Sequence, residues 1–192
     1  MNTSASIPKT ILRHRLWTYI GLTIFGCGCD LWTKQAIFDA LGLPGERPPH
    51  WLIENYFGFE TAVNQGALFG LGQGLGLVFG AVSICAIVAI VLWLFKFQGA
   101  RSSWLTCALG LVSGGILGNL YDRLNMHGLP GRNAGGVRDW ILFRYGEHTW
   151  PNFNIADSLL VVGAIMLGIH SFTFSDSKLA DSIAADQKSA TP

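Results

Sequence analysis

Three aspartates within one stretch carry the chemistry open to this chain. Asp122 lies in GGILGNLYDRL, Asp139 in VRDWILFRYG and Asp157 in WPNFNIADSLL, all between Gly114 and Leu160. Apolar segments long enough to cross a bilayer flank them. A carboxylate at a helix centre in lipid costs about 2.5–3.5 kcal/mol on insertion scales, so such groups are sheltered, paired or functional. Two carboxylates brought close share one proton, because the first charge opposes the second ionisation. One then activates water as a base while the other donates to a carbonyl oxygen. Asp139 and Asp157, expected at one membrane depth on one side, are the candidate pair. Each also has a structural reading. Asp157 follows Asn154 by three residues, as in a helix-capping pair, and Asp139 has Arg138 and Arg144 as potential ion-pair partners.

Other polar residues divide in the same way. Asp30 and Lys34, one helical turn apart, pair across i,i+4. Either Lys34 snorkels to the interface as the first span ends, or the pair braces the loop above a site. Asn64 and Gly66 in NQGALFG read as a turn with free backbone amides, or as Asn64 gripping a substrate backbone or polar head. Asn119, Asp122 and Arg123 end the third apolar stretch. There Arg123 complements the helix dipole and Asp122 pairs with a basic neighbour, or Arg123 holds an anionic or lipid headgroup.

These residues need a membrane scaffold to position them. At 192 residues the chain is one domain by length. Half its residues are hydrophobic and 13% are charged, against roughly a quarter charged in soluble proteins. A mean hydropathy of +0.38 agrees with an integral membrane protein. The net charge of +1, without a basic cluster, gives nucleic-acid binding no support. Cys27, Cys29, Cys85 and Cys107 lie in apolar segments and are expected to be buried small side chains. No metal-ligand spacing accompanies them, and no cofactor or metal is expected.

Four spans are expected, at about 16–38, 73–95, 102–121 and 154–175, each near the 20 residues that cross about 30 Å. LPGERPP ends the first. The aromatic-rich HWLIENYFGFETAV then suggests short strands, so residues 39–63 are expected to form a β-rich flap at headgroup level. SGGILGN in the third span allows close helix approach. Residues 124–152 form a second excursion, and the polar tail 176–192 is expected to be disordered. Lys9, Arg13 and Arg15 flank the first span, and Lys96 and Arg101 occupy the short turn between the second and third. Short loops weigh most in the positive-inside rule, which puts both termini in the cytoplasm and the three aspartates at the outer face.

DLWTK (30–34), NQGALFG (64–70), GGILGNLYDR (114–123), VRDW (137–140) and FNIAD (153–157) occur in one order across residues 16 to 175. Together they resemble the bacterial lipoprotein signal peptidases, the signal peptidase II family. The resemblance implies an aspartic endopeptidase of the inner membrane, with domain limits of 1–175. It would act as a monomer among membrane lipids, removing signal peptides from prolipoproteins just before a diacylglyceryl-modified cysteine. By motif, Asp139 and Asp157 fall on the family's catalytic aspartates. Asn64, Gly66, Asn119, Arg123 and Asn154 fall on substrate-holding or supporting positions, Asp30 and Lys34 on its first-span pair, and Asp122 on the aspartate beside the arginine. The chain departs in a long connection at 124–136, in Trp140 where Phe is usual, and in Leu68 where Ala is common.

Two other readings stand beside this one. A small transporter or proton relay also carries membrane carboxylates, but strings them along a path, whereas these cluster at one interface. A lipoprotein with a cleaved leader requires loss of residues 1–26, and DLWTKQAIF continues the helix past any such point.

Overall fold

The computed structural model describes residues 7–66, 72–97 and 99–189, with side chains to residue 173. Leu68 lies outside the described residues. Among the described residues four α-helices and four strands follow in the order α1 (Lys9–Leu41), β1 (His50–Ile53), β2 (Phe57–Asn64), α2 (Gly76–Val91), α3 (Ser103–Arg123), β3 (Val137–Tyr145), β4 (His148–Phe153) and α4 (Ile155–Ser189). A π-helical turn, Leu92–Lys96, extends α2.

Among the described residues, three helical segments are long and apolar enough to cross a membrane: Gly76–Lys96, Ser103–Arg123 and Ile155–Thr173. These correspond to the second, third and fourth expected spans. α1 runs for 33 residues, longer than the expected 16–38, but is not among the three. Its C-terminal half contains Asp30, Lys34 and Asp39, which lower its hydropathy. α4 outruns the expected span: the tail expected to be disordered is helical as far as Ser189. DSKLADSIAADQKS contains neither Gly nor Pro and includes Ala, Leu, Lys and Gln, a composition compatible with helix.

α3 is the hub, because its glycines let two neighbours approach. A methyl group at Gly114 would meet the Thr23 carbonyl of α1 at 3.1 Å, and one at Gly115 the Ala156 carbonyl of α4 at 2.5 Å. At Gly118 it would overlap the Asp30 carboxylate. The small residues of SGGILGN thus do what their sizes predict. Ser102 caps the start of α3, its hydroxyl accepting the Leu105 amide at 3.2 Å. α2 is peripheral, with Gly80 its one buried residue, and Leu77, Val78 and Val82 face outward. Cys85 is likewise exposed, because α2 turns one broad face away from the bundle, and Cys27, Cys29 and Cys107 are half-buried rather than buried as expected.

The expected flap is half of the observed sheet. β1 falls within residues 39–63 and β2 outruns them by one residue, to Asn64, but β3 and β4 from the second excursion complete a four-stranded antiparallel meander, β1-β2-β3-β4. β3 is central and buried on both faces from Val137 to Leu142. Its run VRDWIL therefore lacks the polar–apolar alternation of a half-exposed strand. Aromatic pairs lace the sheet: Phe57 stacks on Phe143 at 4.8 Å, and Phe59 meets Trp140 edge-on at 5.2 Å. Loop 124–136 closes on itself, with His127 Nδ1 accepting the Leu129 amide and the Asn125 side chain accepting the Gly135 amide.

Candidate active site

β3 and the start of α4 bring the two candidate aspartates to one place, and Asn154 is the residue between them. Its side-chain oxygen accepts the Asp157 amide at 3.0 Å, while the Asp157 carboxylate accepts the Asn154 amide at 3.2 Å. This reciprocal pair is the capping box that the N-x-x-D spacing predicts. Since the Asn154 oxygen is committed to a backbone donor, its Nδ2 must face away from α4, and it donates to Asp139 Oδ1 at 2.6 Å. The same nitrogen lies 3.2 Å from Asn119 Oδ1 and 3.4 Å from the Arg138 carbonyl. Asn154 thus caps α4 and ties both carboxylates.

Asn119 orients Asp157 from α3. Its oxygen accepts from Lys34 Nζ at 2.9 Å, so its Nδ2 is turned to Asp157 Oδ1, also at 2.9 Å. Asn64, the last residue of β2, hydrogen-bonds Asp139. Its side-chain oxygen also accepts the Gly66 amide at 2.9 Å, so that amide is committed rather than free. Arg123 donates to the carbonyls of Asn64 (3.1 Å) and Gly66, and lies 5.3 Å from the centre of the Phe79 ring. Its guanidinium holds the turn after β2 in place at the edge of the site.

Asp139 is 3% exposed and, among the described residues, has no cation bonded to it. Burial first, and then the charge of Asp157, push its carboxyl up to about 8. Asp139 therefore keeps its proton at neutral pH, beside the Asp157 side chain. The anticipated partners lie elsewhere. Successive strand residues point to opposite faces, so the Arg138 side chain leaves β3 on the side away from Asp139. Arg144 instead bonds Thr149 at 3.2 Å and stacks over Trp51.

Behind the strand lies a second cluster of carboxylates. Lys34 is fully buried and contacts Asp30 at 2.7 Å and Asp122 at 3.0 Å. Arg138 grips Asp122 through Nε and Nη2, both at 3.0 Å, and its backbone amide bonds the same carboxylate at 3.0 Å. Asp30 Oδ1 accepts the Ala156 amide at 2.8 Å. Snorkelling of Lys34 is thereby overturned: three acceptors surround its ammonium, so it has no need of water. The pair braces α1, α3 and α4 beneath the site. Asp122 does pair with a basic neighbour, but in space and not in sequence.

A cavity of about 990 Å3 opens in front of the aspartates. Asn64, Gly66, Asn119, Arg123, Asp139 and Asp157 line its polar floor. Its walls descend between the helices past Phe79, Ile116, Leu160 and Val161, and its upper rim is formed by Glu60, Trp150 and Asn152. Of the ten residues singled out in the sequence, these six face the cavity, Asn154 lies fully buried behind Asp139, and Asp30, Lys34 and Asp122 form the separate brace. Phe79, Glu60 and Asn152 were not anticipated; no spacing in the sequence marks them.

The two carboxylates lie at the head of apolar helices, and comparison with known proteins gives this scaffold a family. The model of the signal peptidase II family matches residues 22–173. The chain belongs to the signal peptidase II family. A lipoprotein signal peptidase of Rhodopirellula baltica is 58% identical over 173 residues, covering 88% of this chain and 78% of the relative. That of Pseudomonas syringae pv. tomato is 36% identical, covering 88% and 92%. Two solved bacterial membrane enzymes superpose with TM-scores of 0.71 and 0.65 at 26% and 27% identity. They cover 84% and 80% of this chain, and 91% of each neighbour. The chain is thus a membrane-spanning peptidase, mostly helical, with a small antiparallel sheet.

Proposed function

We propose that this peptidase removes signal peptides from prolipoproteins, cutting just before a diacylglyceryl-modified cysteine, and that Asp139 and Asp157 are its catalytic pair. The observation that carries this reading is the coupling of a buried, cation-free carboxyl to a second carboxylate through Asn154, at the floor of a cavity open between helices. With one proton on the pair, the ionised member removes a proton from water as it attacks the scissile carbonyl. The protonated member donates to the carbonyl oxygen. The resulting gem-diol collapses as the amine of the cysteine leaves with a proton, and the pair returns to its single-proton state. No covalent enzyme intermediate is needed.

The apolar wall along α2, α3 and α4 suits acyl chains that enter from the bilayer, and such anchoring would present the peptide bond at a fixed height. In this reading α1 crosses as well, giving four spans, cytoplasmic termini and a site at the outer face of the inner membrane. The enzyme acts as a monomer among lipids, with no cofactor. Purified protein should cleave a diacylglyceryl-modified prolipoprotein far faster than its unmodified counterpart; equal rates would sink the lipid requirement. Cysteines placed at Gly45 and Gly131 should react with an impermeant reagent from outside intact cells, and one at Gly99 only after the membrane is opened.

A further inference from the structure

The strands on either side of β3 break register at nearly the same level. On one side Phe59 pairs with Ile141 and Ala62 with Asp139, so residues 60 and 61 both oppose Trp140. On the other, Phe153 pairs with Ile141 and Trp150 with Phe143, so residues 151 and 152 both oppose Leu142. These are β-bulges, which re-aim side chains and recur beside active sites. β2 and β4 are separated by a whole strand, roughly twice the 4.7–4.9 Å strand spacing. Even so, Asn152 Nδ2 reaches the Glu60 carbonyl at 3.0 Å and its Oε2 at 3.2 Å. The two bulges bring these side chains together over the cavity rim, where both are half-buried.

The Asn152 amide orients the Glu60 carboxylate but leaves its charge. Among the described residues no Lys, Arg or His lies within ion-pair distance of it. Arg123, which also lines the cavity, is turned to the carbonyls of Asn64 and Gly66. The rim is therefore an oriented anion with room in front of it, and Trp150 beside Asn152 adds an aromatic face of the kind that cations favour. The apolar helix-lined wall fits the hydrophobic part of a substrate, leaving the sheet end for its polar part.

We propose that Glu60, oriented by Asn152, is a specificity-determining subsite for a cationic side chain in the segment that follows the modified cysteine. This rests on the peptidase reading above and adds the substrate's charge to it. Modified prolipoproteins carrying Lys, Gln or Glu at each of the two positions after the cysteine form the test, assayed in a neutral detergent at low and high salt. At one of those positions kcat/KM should favour Lys over Glu by about fivefold at low salt, with Gln between, as expected for a partly exposed ion pair. The preference should shrink at high salt. Glu60→Gln keeps an acceptor for Asn152 and should bring the Lys-to-Glu ratio close to one; Glu60→Lys should invert it. The parent enzyme alone decides if a variant fails to fold: equal rates on Lys and Glu substrates at both positions, with all substrates cut, remove the subsite and leave the peptidase standing. A ratio that survives in Glu60→Gln also overturns the proposal. Failure to cut any of the modified substrates would instead remove the peptidase reading itself.

Discussion

Two pairs of carboxylates stand on opposite sides of one strand, and their surroundings differ in where the cations lie. Asp30 and Asp122 have Lys34 between them and Arg138 against Asp122, so four buried charges cancel. Asp139 and Asp157 have amides instead: Asn154, Asn119 and Asn64 supply hydrogen bonds without neutralising charge. The first pair is braced by cations, while the second is held by neutral donors, with the Asp139 carboxyl pushed up to about 8. The difference teaches that residue type alone does not separate the brace from the candidate catalytic pair; the position of the cations does.

The largest effect should come from removing the mobile proton. Asp139→Asn or Asp157→Asn should each lower cleavage on the order of 10^4-fold, and the double variant no further, because members of one catalytic unit are non-additive. Near-parent cleavage by either correctly inserted single variant would break the comparison. Next, Lys34→Met leaves Asp30 and Asp122 buried without their shared cation. It should destabilise the protein in detergent by about 3–5 kcal/mol. Lys34 also lowers the Asp139 carboxyl, so the alkaline fall in activity should move upward in pH in any folded Lys34→Met sample.

Asp139→Asn should act on stability in the opposite direction from Lys34→Met. The folded carboxyl sits at about 8 against an ordinary 3.8, so the folded state holds a proton that the unfolded chain releases. The parent therefore loses stability as pH rises from 3.8 to about 8. The variant lacks that loss, and at pH 7 should gain at most about 4 kcal/mol. Melting curves of parent and variant at pH 5, 7 and 8.5 would read it, and a constant gap would contradict the sign. Parent activity should in turn decline above about 8, as the last shared proton leaves. The smallest activity effect belongs to Asp122→Asn. It weakens the grip of Arg138 and Lys34 while leaving the mobile pair intact, so measurable hydrolysis should remain, with a stability loss of about 1–3 kcal/mol.

The spacing of residues made part of this legible. N-x-x-D before an apolar run announced the cap of α4, and its chemistry required Asn154 beside Asp157. SGGILGN announced close packing that the structure contains. β3 was not legible as a strand, because burial on both faces erases the two-residue pattern. The partner of Arg138 was misread for a related reason: adjacency along the chain suggested Asp139, whereas strand geometry sends neighbours to opposite sides. Lys34 looked like a snorkelling side chain, since its third acceptor, Asn119, comes 85 residues later. The Glu60–Asn152 contact depends on two bulges in different strands, which no local pattern encodes.

The bond from Asp30 to the Ala156 amide joins residues 126 positions apart, the first helix to the last. During synthesis at about 5–20 residues per second, the Asp30 carboxylate waits roughly 6–25 s for that partner. Lys34 accompanies it from the start, so the two opposite charges enter the translocation machinery as a neutral couple. Asp122 and Arg138 then arrive as a second one. The order of residues along the chain thus gives Asp30 and Asp122 each a counter-charge before the start of α4 meets Asp30 and closes the bundle.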